Sequence, residues 1–200
     1  MGVDRLGRLA AKAAGPAAAA LLFLLAAAAA AQPRPETLAA CAACHGPGGN
    51  SQIPQFPSLA GQPKVFVENQ LVLIREGLRD VPAMKEVMAG MSDETIVALA
   101  RYYASQAPAP KAAPLQQEKY RLGEQTSKKM LCGTCHLPDY SGQNQVPRLA
   151  GQHEAYLLAV MKQFRDNPGP GRDTIMAASL HGLTDADLAN LAHYLAAFRP

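Results

Sequence analysis

Apolar side chains recur along this chain at helical spacing, and no stretch alternates with the period of two that a half-buried strand requires. Residues 36–45 predict a short helix, and their counterpart, residues 115–136, predicts a longer one. A loop rich in Gly, Pro, Asn and Ser follows each. Val65, Leu71, Val72 and Ile74 mark a helix over residues 63–76, with Pro63 suited to its first turn and Gly77 to its exit. Residues 153–166 predict a second helix of this kind. The last helices begin at Ser92 and Thr184, good N-caps whose following acidic residues suit the helix dipole. Ile96, Leu99 and Tyr103 share one face of the first, and Leu188, Leu191 and Leu195 share a face of the second. The predicted class is all-α.

The pattern is a tandem repeat. Pro57-Ser58-Leu59-Ala60-Gly61-Gln62 returns about 90 residues later as Pro147-Arg148-Leu149-Ala150-Gly151-Gln152. Met91-Ser92-Asp93-Glu94 returns at a similar interval as Leu183-Thr184-Asp185-Ala186. Order and spacing hold along the whole unit, so duplication accounts for them better than coincidence. The seam, residues 106–114, alternates Pro and Ala, which excludes helix and favours an extended spacer. The expected organisation is residues 32–106 as a first domain, 107–114 as linker and 115–200 as a second domain.

The N-terminus breaks the pattern. Arg5, Arg8 and Lys12 precede an uncharged apolar run from Ala17 to Ala31, with Ala29 and Ala31 forming a small-residue cleavage site before Gln32. Residues 1–31 read as an export signal; the alternative is an uncleaved membrane anchor, for which the run is short. Either way the folded part is expected outside the cytoplasm, in the periplasm. Setting aside Asp4, Arg5, Arg8 and Lys12 lowers the formal charge from +3 to +1. With no basic block, nucleic acid is not an expected partner.

The chemistry lies in two short runs, Cys41-Ala42-Ala43-Cys44-His45 and Cys132-Gly133-Thr134-Cys135-His136, which use all 4 cysteines. C-x-x-C-H is the signature of covalent haem attachment. Two thiols on one helical turn each add to a haem vinyl group, and the adjacent histidine lies under the iron. A four-cysteine zinc site is disfavoured because the pairs fall in separate repeats, far beyond the usual spacing of roughly 15–20 residues. A redox C-x-x-C is disfavoured because no βαβ pattern accompanies it. Two haem c groups are expected, with His45 and His136 as proximal ligands.

A sixth ligand is needed at each iron, and methionine thioether suits it. Met84 stands eight residues before Ser92, and Met176 stands eight before Thr184. They also lie at matching distances from His45 and His136, a correspondence that no other methionine pair keeps. Met88 is the reserve for the first haem, whereas Met91 and Met161 suit core packing. Among the remaining histidines, His153 and His193 suit surface or packing roles, and His181 could replace Met176 with small loop movement. The carbonyls of Pro57 and Pro147 are candidates to accept a hydrogen bond from the proximal histidine Nδ1–H; stiffening the loop is a compatible role.

C-x-x-C-H, then P-x-L-A-G-Q, then a methionine eight before the capped last helix, resembles class I cytochrome c. Two such units in one exported chain resemble the diheme cytochrome c4 family, over roughly residues 36–198. The resemblance implies His/Met ligation at both irons, the prolyl hydrogen bond, and two cytochrome c domains facing each other across a pseudo-twofold. It implies an electron carrier rather than an enzyme, with a quinol–cytochrome c oxidoreductase, a terminal oxidase or a dehydrogenase as redox partner. The alternative is the cytochrome subunit of an exported sulfide-, thiosulfate- or alcohol-oxidising dehydrogenase. A third class, a two-haem peroxidase, would need one open iron. The family's first helix usually carries a glycine where it crosses the last. Gly123 fits that place in the second unit, but Gln32, Pro33 and Pro35 occupy the matching region of the first. The first helix is therefore expected to be truncated, with its contact on the last helix weakened.

Overall fold

The structure is a computed structural model that describes residues 32–109 and 114–199. The expected signal or anchor, residues 1–31, lies outside the described residues. Among those described, no helix is long and apolar enough to cross a membrane.

The architecture is helical throughout, apart from one isolated bridge between Gln143 and Val146. The first repeat comprises α1 (Pro35–His45), a 3-10 turn (Pro47–Gly49), α2 (Lys64–Arg75), α3 (Pro82–Met88) and α4 (Asp93–Ser105). The second comprises α5 (Gln117–Lys129), α6 (Cys132–His136), α7 (Glu154–Asp166), α8 (Thr174–Leu180) and α9 (Asp185–Ala197). The described residues from Pro33 onward pack as one compact body.

The long helix expected over residues 115–136 is in fact two. Leu131 adopts a left-handed conformation, φ 55°, which ends α5 and starts α6. The first repeat has Ala42 and Ala43 inside its C-x-x-C-H run, where the second has Gly133 and β-branched Thr134. Those residues hold a helix less well, by roughly 0.5–1 kcal/mol each, yet both stay helical within α6, downstream of the break. The short helices α3 and α8 have no counterpart among the elements that periodicity predicts. Their signals are present all the same: Pro82 opens α3, Asp173 caps α8 by accepting from Met176 N–H at 2.8 Å, and Gly90 and Gly182 follow their ends.

The halves are unequal. α5 crosses α9 in the most extensive helix contact of the fold, and α1 makes none of comparable extent with α4. Gly123 is what lets α5 approach: a Cβ there would lie 2.2 Å from Asn190 O. Tyr120, Tyr140, Tyr194 and Phe198 then pack edge-on, with the Tyr140 hydroxyl bonded to Ser127 Oγ at 2.8 Å. Leu157, Met161, Leu180, Leu188, Leu191 and Leu195 complete this core, whereas Ile74, Met88 and Ile96 form a much smaller cluster in the first half. His193 is buried and engaged at both ring nitrogens. Its Nδ1 lies 2.8 Å from Glu154 Oε2, and its Nε2 accepts from Gln116 N–H at 3.1 Å.

Candidate haem sites

The two C-x-x-C-H runs end their helices. Cys41, Cys44 and His45 occupy the last turns of α1, and the second run is the whole of α6. Within each helix the cysteines are three residues apart and so share a face. None of the four is in a disulfide. Burial pushes the Cys41 and Cys132 thiols up, partly opposed by hydrogen bonds to Tyr103 and Ser127.

Both histidines are buried, and each meets a prolyl carbonyl. His45 Nδ1 lies 2.8 Å from Pro57 O, and His136 Nδ1 lies 2.9 Å from Pro147 O. A carbonyl can only accept, so Nδ1 carries the proton and Nε2 keeps its lone pair for a metal. Burial lowers the pKa of each imidazole, and the carbonyl bond partly offsets it. The same loop is built twice. Leu59 and Ala60 N–H donate to Gly49 O, and Leu149 and Ala150 N–H donate to Tyr140 O. Gly61 N–H then reaches Tyr103 O on α4 as Gly151 N–H reaches Leu195 O on α9.

Met84 and Met176 are each the third residue of a seven-residue helix, α3 and α8, and each is partly buried against its core. Met88 is 1% exposed, as is Leu180, its counterpart one turn on in α8. A position filled by leucine in one repeat is a packing position in the other. Met91 packs against the first core as Leu183 does against the second, and Met161 is buried in the second core. His181 follows α8 and is exposed.

Two arginines that sequence patterns had not singled out close the methionine segments. Arg75, at the end of α2, donates to Met91 O at 2.8 Å and Asp93 at 2.7 Å. Arg165, at the end of α7, donates to Leu183 O at 2.9 Å and Asp185 at 2.7 Å. Each bridges the two ends of the excursion that carries Met84 or Met176. Their equivalent placement in the two repeats was the available signal.

These residues fit a covalently held haem. Each half offers paired thiols, an imidazole with Nε2 free and a thioether on a separate element. Arg148 Nε is the buried side-chain polar atom that lacks a hydrogen-bond partner among the described residues. Burial lowers the guanidinium's pKa, against the pull of Asp139. A half-buried cation with an orphaned, buried Nε–H suits an anionic oxygen such as a haem carboxylate.

The chain is similar to known proteins. Residues 120–198 match the family described as Cytochrome c, and residues 28–102 match that described as Cytochrome C oxidase, cbb3-type, subunit III. Cytochrome c4 of Azotobacter vinelandii is 33% identical over 175 residues, covering 78% of this chain and 83% of that protein. A thiosulfate dehydrogenase electron acceptor of Thiomonas intermedia (strain K12) is 32% identical, covering 82% and 80%. The crystal structure of reduced recombinant cytochrome c4 from Pseudomonas stutzeri gives a TM-score of 0.76 at 30% identity, covering 82% of this chain and 96% of that one. Likeness of this extent, over both repeats at once, means that the chain belongs to the cytochrome c4 family, as a diheme electron-transfer cytochrome with one covalently bound haem c in each of its two all-α domains.

Proposed function

We propose that Cys41 and Cys44 anchor the first haem and Cys132 and Cys135 the second, with His45/Met84 and His136/Met176 as axial pairs. The observation that carries this is the twofold recurrence of one geometry. A buried histidine donates Nδ1–H to a prolyl carbonyl, and a methionine stands third in a short helix, in both halves. Met88 is set aside because its counterpart is the buried Leu180. The haem supplies a one-electron ferric/ferrous couple. The protein holds the imidazole tautomer through Pro57 and Pro147, closes the methionine segments through Arg75 and Arg165, and offers Arg148 to a carboxylate.

The partners are redox proteins. With both axial positions filled, no substrate reaches iron, so the protein works as a carrier and not as an enzyme. We assign it to the periplasm, on the N-terminal export pattern and on attachment chemistry that follows export. Its donor and acceptor are a quinol–cytochrome c oxidoreductase and a terminal oxidase. The Thiomonas intermedia relative favours a second reading, in which the electron donor is an exported thiosulfate-oxidising dehydrogenase.

A spectroelectrochemical titration of the exported protein tests the assignment. Two haems per chain and a methionine–iron charge-transfer band are expected. Met84→Leu and Met176→Leu should each remove the band from one haem, and Met88→Leu should leave both. Loss of a band in Met88→Leu, or one haem per chain, would overturn the ligand set. Reduction by thiosulfate with its dehydrogenase, but not by a quinol-oxidising complex, would select the second reading.

A further inference from the structure

The two Pro-x-Leu-Ala-Gly-Gln runs grip each other. Gln62 Nε2 donates to Arg148 O at 3.0 Å, and Arg148 N–H donates back to Gln62 Oε1 at 3.0 Å. Gln152 Nε2 donates to Ser58 O at 2.9 Å, and Ser58 N–H donates to Gln152 Oε1 at 2.9 Å. Ser58 and Arg148 occupy the same place in their runs, and both glutamines are buried. Each glutamine therefore clasps the equivalent backbone of the other repeat, the self-complementary pattern of a twofold interface.

The clasped peptide is the one that serves the proximal histidine. The carbonyl of the Pro57–Ser58 peptide accepts from His45, and the N–H of that same peptide donates to Gln152. The carbonyl of the Pro147–Arg148 peptide accepts from His136, and its N–H donates to Gln62. An acceptor on the N–H side of a peptide shifts electron density to its oxygen, and bonds in such a chain strengthen one another by roughly 10–30%. A stronger carbonyl acceptor makes the imidazole a better donor to iron, which favours the ferric state.

We propose that Gln152 and Gln62 are positioning residues that tune the proximal histidine of the opposite repeat, Gln152 acting on His45 and Gln62 on His136. This rests on the axial assignment above. The two arms are unequal, because Gln152 Oε1 also accepts from His153 N–H at 3.0 Å. Its hold on Ser58 N–H is shared, so the Gln62 arm is the stronger.

The test is an NMR-followed redox titration of the full diheme protein, which assigns a potential to each haem. Gln152→Met should raise the haem bound at Cys41 and Cys44 and leave the other in place; Gln62→Met should do the reverse, by more. The expected change is about threefold in the ferrous-to-ferric ratio at fixed poise, or roughly 28 mV at about 59 mV per tenfold for one electron. The ferrous His45 Nδ1–H resonance should move in Gln152→Met alone. Gln152→Glu, which keeps the acceptor and adds charge, should shift the same haem the opposite way and more than its neighbour. Glutamines that only hold the domains together would move both potentials in every variant. That result, a shift at the haem of the glutamine's own repeat, or no shift, would overturn the proposal. The wild-type charge-transfer band tests the axial assignment separately: unmoved potentials with the band intact refute the cross-tuning alone.

Discussion

Replacing Gly123 by alanine sets two physical effects of opposite sign against each other. In an isolated helix the change would stabilise α5 by about 1 kcal/mol, since glycine is the poorer helix former. At the crossing with α9, the new methyl would sit 2.2 Å from Asn190 O and 2.6 Å from Tyr194 Cβ. Carbon contacts are comfortable only near 3.5–4.0 Å, so the helices must part by roughly 1 Å, a gap that forfeits up to half of each dispersion contact along the seam. The oxygen belongs to the backbone and cannot rotate aside. Overpacking of this kind costs about 1–3 kcal/mol, and the edge-on Tyr120–Tyr194 pair, at 4.9 Å between centroids, would be disturbed as well. The net expectation is a loss of about 1–2 kcal/mol, or roughly 3–6 °C in Tm for a chain of this size. Urea and thermal unfolding followed by far-UV circular dichroism would measure it. Gly133→Ala is the matched control: it is also helical, its nearest neighbour would lie at 3.6 Å, and the first repeat carries Ala42 there. That variant should be neutral or slightly stabilised. If Gly123→Ala is as stable as the wild type, the close helix approach is not what selects glycine, and the argument fails.

Leu131, left-handed and 70% exposed, gives Leu131→Gly a predicted gain: relief of about 1–2 kcal/mol of backbone strain, against glycine's entropy cost of about 0.5–1 kcal/mol, seen as a higher urea midpoint. Thr184 accepts from Asp187 N–H and Asp187 returns the bond to Thr184 N–H, a complete capping box. Thr184→Ala should therefore cost about 1 kcal/mol and Ser92→Ala less, because Ser92 lacks the reciprocal bond. The Thr184 hydroxyl and backbone N–H hold the Asp187 carboxyl below its ordinary pKa. A depressed folded pKa means that the contribution is complete above the ordinary aspartate range and disappears as pH falls through the folded value. Asp187→Asn should flatten that acid limb in a pH series of unfolding midpoints, and an unchanged limb would count against the box.

The amino-acid sequence by itself determined the all-α class and the duplication, and it singled out the C-x-x-C-H cysteines and histidines and the matched pair Met84 and Met176 as the groups we propose for the haems. These are legible because they are local or periodic. A thiol pair must share one helical turn, an amphipathic face repeats every three to four residues, and a duplication preserves spacing. The break at Leu131 was less legible, because helix propensity is a weak prior and the residue at the break is itself a good helix former. α3 and α8 escaped for another reason: seven residues are too few for periodicity to speak, and only their caps mark them.

Tertiary structure alone decided how the halves meet. Gln62 and Gln152 sit in a run whose repetition was plain, but a glutamine's sequence neighbours do not reveal which distant peptide it will satisfy. That choice belongs to burial: once the two loops exclude water, the Ser58 and Arg148 backbone N–H groups need acceptors, and a glutamine of the opposite repeat supplies each. Arg75 and Arg165 follow the same rule, finding their carbonyls only after the methionine segments have closed. Chain-local chemistry thus names the groups we propose at iron, and tertiary packing, across some 90 residues for the glutamines and fewer than 20 for the arginines, decides what holds them.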